Sequence, residues 1–302
     1  MASQHLASPH LASRHPSRPG VPTIPKHIGR LLWWGVCIFL SILLLFPIVW
    51  SMISSLKTPA EAAAVPPTFL PSQISWENYT RLNEIGDGIL QYAGNSVFVT
   101  LLTISGTIVL STLAGYGFAR FTFPYSGVTF ILLLAPIMIP FQAIMIPLLL
   151  VQRTFGLQNS LLGLACIYIT FQLPFSIFVM RNAFSSIPRE IEEAALLDGC
   201  SLVRMLTRVM LPIVLPGIIT VGVFTFLNAW NEYLAALIYL NKPSTHTLPL
   251  LLATARTNPG LFGGTNWGGL QAGVTVNMLP ALILFMLLQR YYVRGLSSGA
   301  VK

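Results

Sequence analysis

Residues 187–199 read IPREIEEAALLDG, and this short polar stretch decides how the rest of the chain is to be understood. It carries Glu190, Glu192, Glu193 and Asp198, four of only nine acidic residues in the chain. The stretch has the grammar of a short helix. Pro188 suits a first helical position, where a missing N–H costs nothing, and Ser186 stands where an N-cap is expected. Glu190 and Glu192 then lie near the positive end of the helix dipole. Gly199 suits the left-handed position that terminates a helix. Ser201 is placed to cap a second short helix from Leu202 to Val209, which the pair Leu211-Pro212 is expected to stop. The result is a polar helix-turn-helix set between apolar runs, a shape suited to being gripped by a partner.

Those apolar runs dominate the chain. Of 302 residues, 54% are hydrophobic and 9% charged, with a mean hydropathy of +0.71. A soluble domain carries about 25% charged residues, so the composition is that of an integral membrane protein. The net charge of +8 is dispersed between apolar runs, which excludes a nucleic-acid footprint and fits membrane topology instead. Cys37, Cys166 and Cys200 show no metal-ligand or CxxC spacing.

A bilayer core of about 30 Å needs roughly 20 apolar residues as a helix. Six runs meet that length: Leu31–Ser54, Ala93–Ala119, Tyr125–Val151, Leu161–Met180, Pro212–Leu240 and Gly269–Leu288. Six crossings put both termini on one side. Arg14, Arg18, Lys26, Arg30, Arg120, Arg181, Arg189, Arg204, Arg208, Arg290, Arg294 and Lys302 all fall on the side shared by the termini and residues 182–210. By the positive-inside rule that side is cytoplasmic. Residues 1–29, rich in Ser, Pro and His, are expected to be a disordered cytoplasmic tail, and residues 30–302 the membrane domain. No signal-peptide pattern follows the first run, which is too long for a secretory h-region. Prolines at 136, 140, 147, 174, 216 and 280 imply bent spans around a cavity, or ordinary kinks.

No enzyme motif is present. The five histidines lie outside the spans, and no HExxH, GxSxG or GxxxxGK[ST] occurs, so no catalytic residue, metal site or bound cofactor is expected. One acid does fall within an apolar run. Glu232 follows Asn228 and Asn231 at helical spacing and precedes Tyr233, and the group reads either as a polar patch on a translocation pathway or as an interfacial anchor beside Trp230. Gln142 in the third run is a weaker pathway candidate, as are Asn95 and Ser96 at the start of the second.

Glu193-Ala194-Ala195, then Asp198-Gly199, then Leu211-Pro212 resembles the EAA signature of permease subunits of ATP-binding cassette importers. A second EAA at Glu61-Ala62-Ala63 lacks the following glycine and runs into Pro66-Pro67. LAGYGFARFTF (113–123), MIPFQAIMIPLLLV (138–151), Trp230-Asn231-Glu232-Tyr233 and the segment 289–302 narrow the likeness to carbohydrate importer permeases of the smaller maltose/maltodextrin type. The resemblance covers about residues 31–302. It implies an all-α, six-span fold of the type I importer class in a bacterial or archaeal cytoplasmic membrane. It further implies a second homologous permease, two copies of a cytoplasmic ATPase that use ATP and Mg, an extracytoplasmic binding protein, and a sugar substrate. The EAA helix would be the coupling helix seated on the ATPase, with alternating access as the transport mode. Related permeases also move glycerophosphates or polyols. A gradient-driven secondary transporter would need paired intramembrane charges or inverted repeats, and a membrane scaffold or sensor would need a soluble output domain; neither pattern is found in the sequence.

Overall fold

The apolar runs fold as helices because their backbone groups have no other partner in hydrocarbon. A computed structural model describes residues 26–257 and 267–300, and all regular structure among the described residues is helical. Most of the Ser/Pro/His tail and the cations at 14, 18 and 302 lie outside those residues. In order the helices are α1 (Lys26–Ser55), α2 (Pro59–Ala62), α3 (Glu77–Asn83), α4 (Ile89–Arg120), α5 (Ser126–Leu134), α6 (Phe141–Thr154), α7 (Leu161–Ser185), α8 (Arg189–Leu197), α9 (Leu202–Met205), α10 (Leu211–Ile213), α11 (Leu215–Asn231), α12 (Leu234–Tyr239), α13 (Leu248–Thr257) and α14 (Trp267–Ala300). Helix α1 therefore begins inside the stretch expected to be a tail.

Residues through Val49 make one compact unit and those from Trp50 onward another. Along the first, Leu31, Trp33, Phe39 and Leu44 are all more than half exposed, a continuous apolar surface. The second unit is built on α4, α7 and α11. The face that α4 buries is a stripe of small polar residues: Ser96, Thr100, Thr103, Thr107 and Ser111, continued by Gly115. Membrane helices lack a strong hydrophobic drive toward one another, so close backbone approach over small residues takes its place. The approach is tight at Gly115, where an added Cβ would stand 2.6 Å from the Met180 Cβ and 2.9 Å from the Arg181 backbone nitrogen. Apolar clusters then line this contact. One joins Val99, Leu164, Tyr168 and Ala229 to Ala235, Ala236 and Tyr239. Another joins Tyr116, Met180 and Phe184 to Ala195, Met205 and Met210.

Among the described residues four helices are long and apolar enough to cross a membrane: Gly29–Ser55, Ile89–Arg120, Leu161–Ser185 and Trp267–Gln289. The count reaches six if each of two bent pairs forms one crossing. The run 125–151, expected to be one span bent at its prolines, breaks sharply: the helical segment Ser126–Met138, which begins with α5, meets α6 at 105°. Pro140 is the cause: it disfavours a helical Ile139, which sits extended at φ −90° and ψ 120°. The run 212–240 is likewise divided. Helix α11 meets the preceding helical segment at 76° and stops at Asn231, and α12 is a separate turn.

Leu211-Pro212 does not end the second helix of the polar hairpin. The chain passes through it by a π turn, Leu206–Met210, in which the Leu211 N–H donates to the Leu206 carbonyl. Proline in a helix interior clashes with the carbonyl four residues back, and one wider turn relieves that clash. The break falls at Val214, whose φ −85° and ψ 7° leave the helical region.

Candidate functional site

The hairpin of α8 and α9 is made by local chemistry. Gly199 has φ +79°, the left-handed conformation that a glycine adopts without penalty. Its N–H donates to the Leu196 carbonyl (3.0 Å) and the Cys200 N–H to the Ala195 carbonyl (3.1 Å), the paired bonds of a Schellman ending. Two residues on, the Ser201 hydroxyl accepts the Arg204 N–H at 3.4 Å and starts α9. The other end differs from expectation by one step. Pro188 is the N-cap residue of α8 rather than its first helical residue. Ser186 does not cap α8; it closes α7, and its hydroxyl donates to the Ala183 carbonyl at 2.8 Å. The two helices follow so closely that α7 takes the serine first.

Helix α8 is two-sided. Ala195 is 7% exposed and is the one residue of α8 that the core buries. Ile191 stands 37% exposed, and Ala194 is exposed as well. Outward project Leu196 and Leu197, the latter 89% exposed. Glu190, Glu193 and Asp198 are exposed beside them. Among the described residues none of these three carboxylates is in an ion pair. Leu211 is partly buried against the cluster around Met210, and Pro212 is exposed. A surface of apolar side chains ringed by unpaired acids is one that a groove with a basic rim complements.

What sequence spacing does not reveal is how α8 is held. The Arg120 guanidinium, on the last residue of α4, ion-pairs through Nε with Glu192 and donates from Nη2 to the Ile187 carbonyl at 2.9 Å. The two side chains are only 7% and 14% exposed. Arg181 lies nearby in the fold's apolar layer, its guanidinium 4.2 Å from the Phe130 ring centroid.

The second group of candidates is rearranged. Asn228 and Asn231 are exposed on α11, their amides donating to the Phe224 and Leu227 carbonyls at 2.8 Å each. Glu232 does not share their helix face, because α11 has ended and Glu232 is extended at ψ 128°. Its carboxylate turns inward. It accepts the Tyr168 hydroxyl at 2.6 Å and the Ala235 N–H at 2.9 Å, and so caps α12. Tyr233 is 46% exposed, and Gln142 stands exposed on the first turn of α6. Asn95 and Ser96 are structural: the Asn95 amide donates to the Ser244 and His246 carbonyls, and the Ser96 hydroxyl accepts the Leu248 N–H at 2.8 Å. His246, just before α13, has its pKa lowered by burial, which disfavours the imidazolium.

Three comparisons with known proteins bear on this arrangement. The sequence profile described as "binding-protein-dependent transport system inner membrane component" matches residues 107–298, a segment that contains the whole α8–α9 hairpin. The chain is 35% identical over 276 residues to the probable ABC transporter permease protein YurM of Bacillus subtilis, covering 91% of this chain and 90% of that one. It is 32% identical over 275 residues to the diacetylchitobiose uptake system permease protein DasC of Streptomyces coelicolor, covering 91% and 98%. Among solved structures, a chain of a bacterial ABC transporter involved in import of the acidic polysaccharide alginate superposes with a TM-score of 0.75 at 20% identity, over 90% of this chain and all of that one. At that identity the likeness is one of fold.

Proposed function

The chain belongs to the binding-protein-dependent transport system inner membrane component family, and from that premise we propose that it is a permease subunit of an ATP-binding cassette importer for a di- or oligosaccharide. The observation that carries the proposal is the two-sidedness of α8: one small residue, Ala195, holds it to the core while Leu196, Leu197, Glu193 and Asp198 face outward. A partner must cover that surface, and in this family the partner is the ATPase.

In this reading the chain crosses the cytoplasmic membrane six times, with α5 and α6 together making the third crossing, α11 and the chain that follows it making the fifth, and both termini and the α8–α9 hairpin cytoplasmic. The ATP and Mg are bound by two copies of the separate ATPase, and this chain contributes no hydrolytic site. A second homologous permease completes the pathway, and an extracytoplasmic binding protein delivers the sugar. Diacetylchitobiose uptake, named for one relative, supports the saccharide class. Asn228, Asn231, Tyr233 and Gln142 are the pathway candidates, since their polar groups are exposed. Glu232 shapes the pathway by fixing the break after α11 and does not line it. Closure of the ATPase dimer would shift α8, and the helices above would alternate between outward- and inward-open states.

The test is purification of the tagged chain in mild detergent from cells expressing its native partners, wild type beside Glu193→Arg/Leu197→Asp. Wild type is expected to retain an ATPase and a second membrane subunit, and the double variant to lose the ATPase alone. Wild type purifying without any ATPase overturns the proposal.

A further inference from the structure

Helix α8 has little to hold it. The core buries only Ala195 from it, and a single methyl group cannot transmit a push from a partner into the membrane. Beyond the contacts of α8 with α9 and the π turn that follows, its tie to α4 is electrostatic and belongs to Arg120. One guanidinium meets the α8 carboxylate of Glu192 and the Ile187 carbonyl, where the chain leaves α7 for α8. Both ionic side chains are almost fully withdrawn from water, at 7% and 14% exposure. At such burial the pair is geometrically demanding, and Arg rather than Lys is required to satisfy two acceptors at fixed directions. Arg120 is also the last residue of α4, whose neighbour Tyr116 stacks edge-on against Phe184 of α7 and Phe121 beyond the helix end. The ion pair therefore ties α8 to the cytoplasmic ends of α4 and α7, the two helices in closest contact in the fold.

We infer that Arg120 is a positioning residue for coupling: with Glu192 it makes α8 and α4 move as one body, so that displacement of α8 by the ATPase becomes displacement of the membrane helices. This rests on the importer reading given above. Without the pair, α8 can swivel on its flanking turns at Pro188 and Gly199, and motion of the ATPase is absorbed there. Glu190, Glu193 and Leu197 of the docking surface lie across the helix from Glu192 and are untouched by changes at Arg120.

The experiment uses the complete complex in proteoliposomes. Cys37, Cys166 and Cys200 are replaced by Ser, and Asn231→Cys reports access to a membrane-impermeant maleimide with and without MgATP and vanadate. The unmodified pair is expected to give an ATP-dependent change in labelling rate. Arg120→Gln should retain the ATPase and its hydrolysis while the ATP-dependent change shrinks by about tenfold or more. The exchange Arg120→Glu/Glu192→Arg should restore much of it, and Arg120→Lys should fall between, having the charge without the fork. An undiminished labelling change in Arg120→Gln overturns the inference but leaves the importer reading standing. So does an exchange variant that assembles and shows no recovery, since the residues are then needed only to build the fold. Absence of ATPase from the wild-type complex overturns both.

Discussion

Replacing Gly199 tests whether the turn geometry, rather than the bare presence of α8, is what a partner reads. At φ +79° an L-residue is strained, yet nothing lies within 4 Å of the position an added Cβ would take. The whole cost is therefore conformational, with no contribution from a clash. A left-handed conformation costs a residue with a side chain about 1–2 kcal/mol relative to glycine, less for Asn and more for a β-branched residue. The two hydrogen bonds that close the turn, from the N–H groups of Gly199 and Cys200, are worth about 1 kcal/mol each net. Strain and closure are thus of similar size, and the turn is expected to open for a large part of the time in Gly199→Ala and most of it in Gly199→Val. A loss of 1–2 kcal/mol corresponds to about a 5- to 30-fold weaker affinity. Titration of the detergent-solubilised variants with purified ATPase subunit should rank them Gly, Asn, Ala, Val, with Val at the far end of that range. Thermal unfolding midpoints of the membrane portion should stay together, because the strain is confined to the hairpin. Equal affinity for Gly and Val would refute the reasoning. So would an Asn variant as weak as Val, because that would implicate side-chain bulk where the structure shows open space.

Removing the cap on α12 should destabilise more than removing its tyrosine partner. Glu232→Ala deprives two backbone N–H groups and the buried Tyr168 hydroxyl of their acceptor, a loss of about 2–3 kcal/mol, whereas Tyr168→Phe should cost about 1 kcal/mol, both read as unfolding midpoints in detergent. Equal losses would show that the tyrosine bond, and not the cap, is the main contribution. His246 supplies a pH dependence of known sign. Because burial lowers its folded-state pKa, the unfolded chain binds a proton first as the pH falls, so stability is full above about pH 6.5 and declines below it. The wild-type midpoint should fall between pH 7.5 and 5.5 more steeply than that of His246→Asn, and parallel slopes would dismiss the effect.

What could be read from the sequence was what is decided locally. Gly199 and Ser201 act through backbone groups within four residues, so their identities suffice to place the turn and the second cap. Ser186 was misassigned for the same kind of reason: with α7 and α8 abutting, two helix ends compete for one hydroxyl, and nothing in the residue types says which wins. The prolines of the third and fifth apolar runs announce bends, but not how sharp they are or at which residue they fall, which depends on where Pro140 and Val214 leave the helical region. Long-range pairing was not legible at all. Arg120 and Glu192 are 72 residues apart, and Tyr168 and Glu232 are 64 apart. In the sequence Arg120 reads as a topology charge and Glu192 as a dipole partner, and neither reading points to the other residue.

The break after α11 bears on where the pathway runs. Helix α11 has 17 residues. At 1.5 Å per residue that is about 25 Å, short of a hydrocarbon core of about 30 Å. The crossing must be completed by irregular backbone at one or both ends, and such backbone is tolerated at membrane depth only inside protein or beside a water-filled cavity. On one side of the break the requirement is met by protein: Ala235, Ala236 and Tyr239 are buried, the Glu232 carboxylate satisfies the first N–H groups of α12, and the Tyr239 hydroxyl donates to the Met145 carbonyl. On the other side Asn228, Asn231 and Tyr233 remain exposed, and their polar groups have no place against lipid tails. Glu232 therefore acts at the start of α12 and not on the face of its neighbours, so in the proposed reading the exposed amides of Asn228 and Asn231 are the groups to test for a pathway.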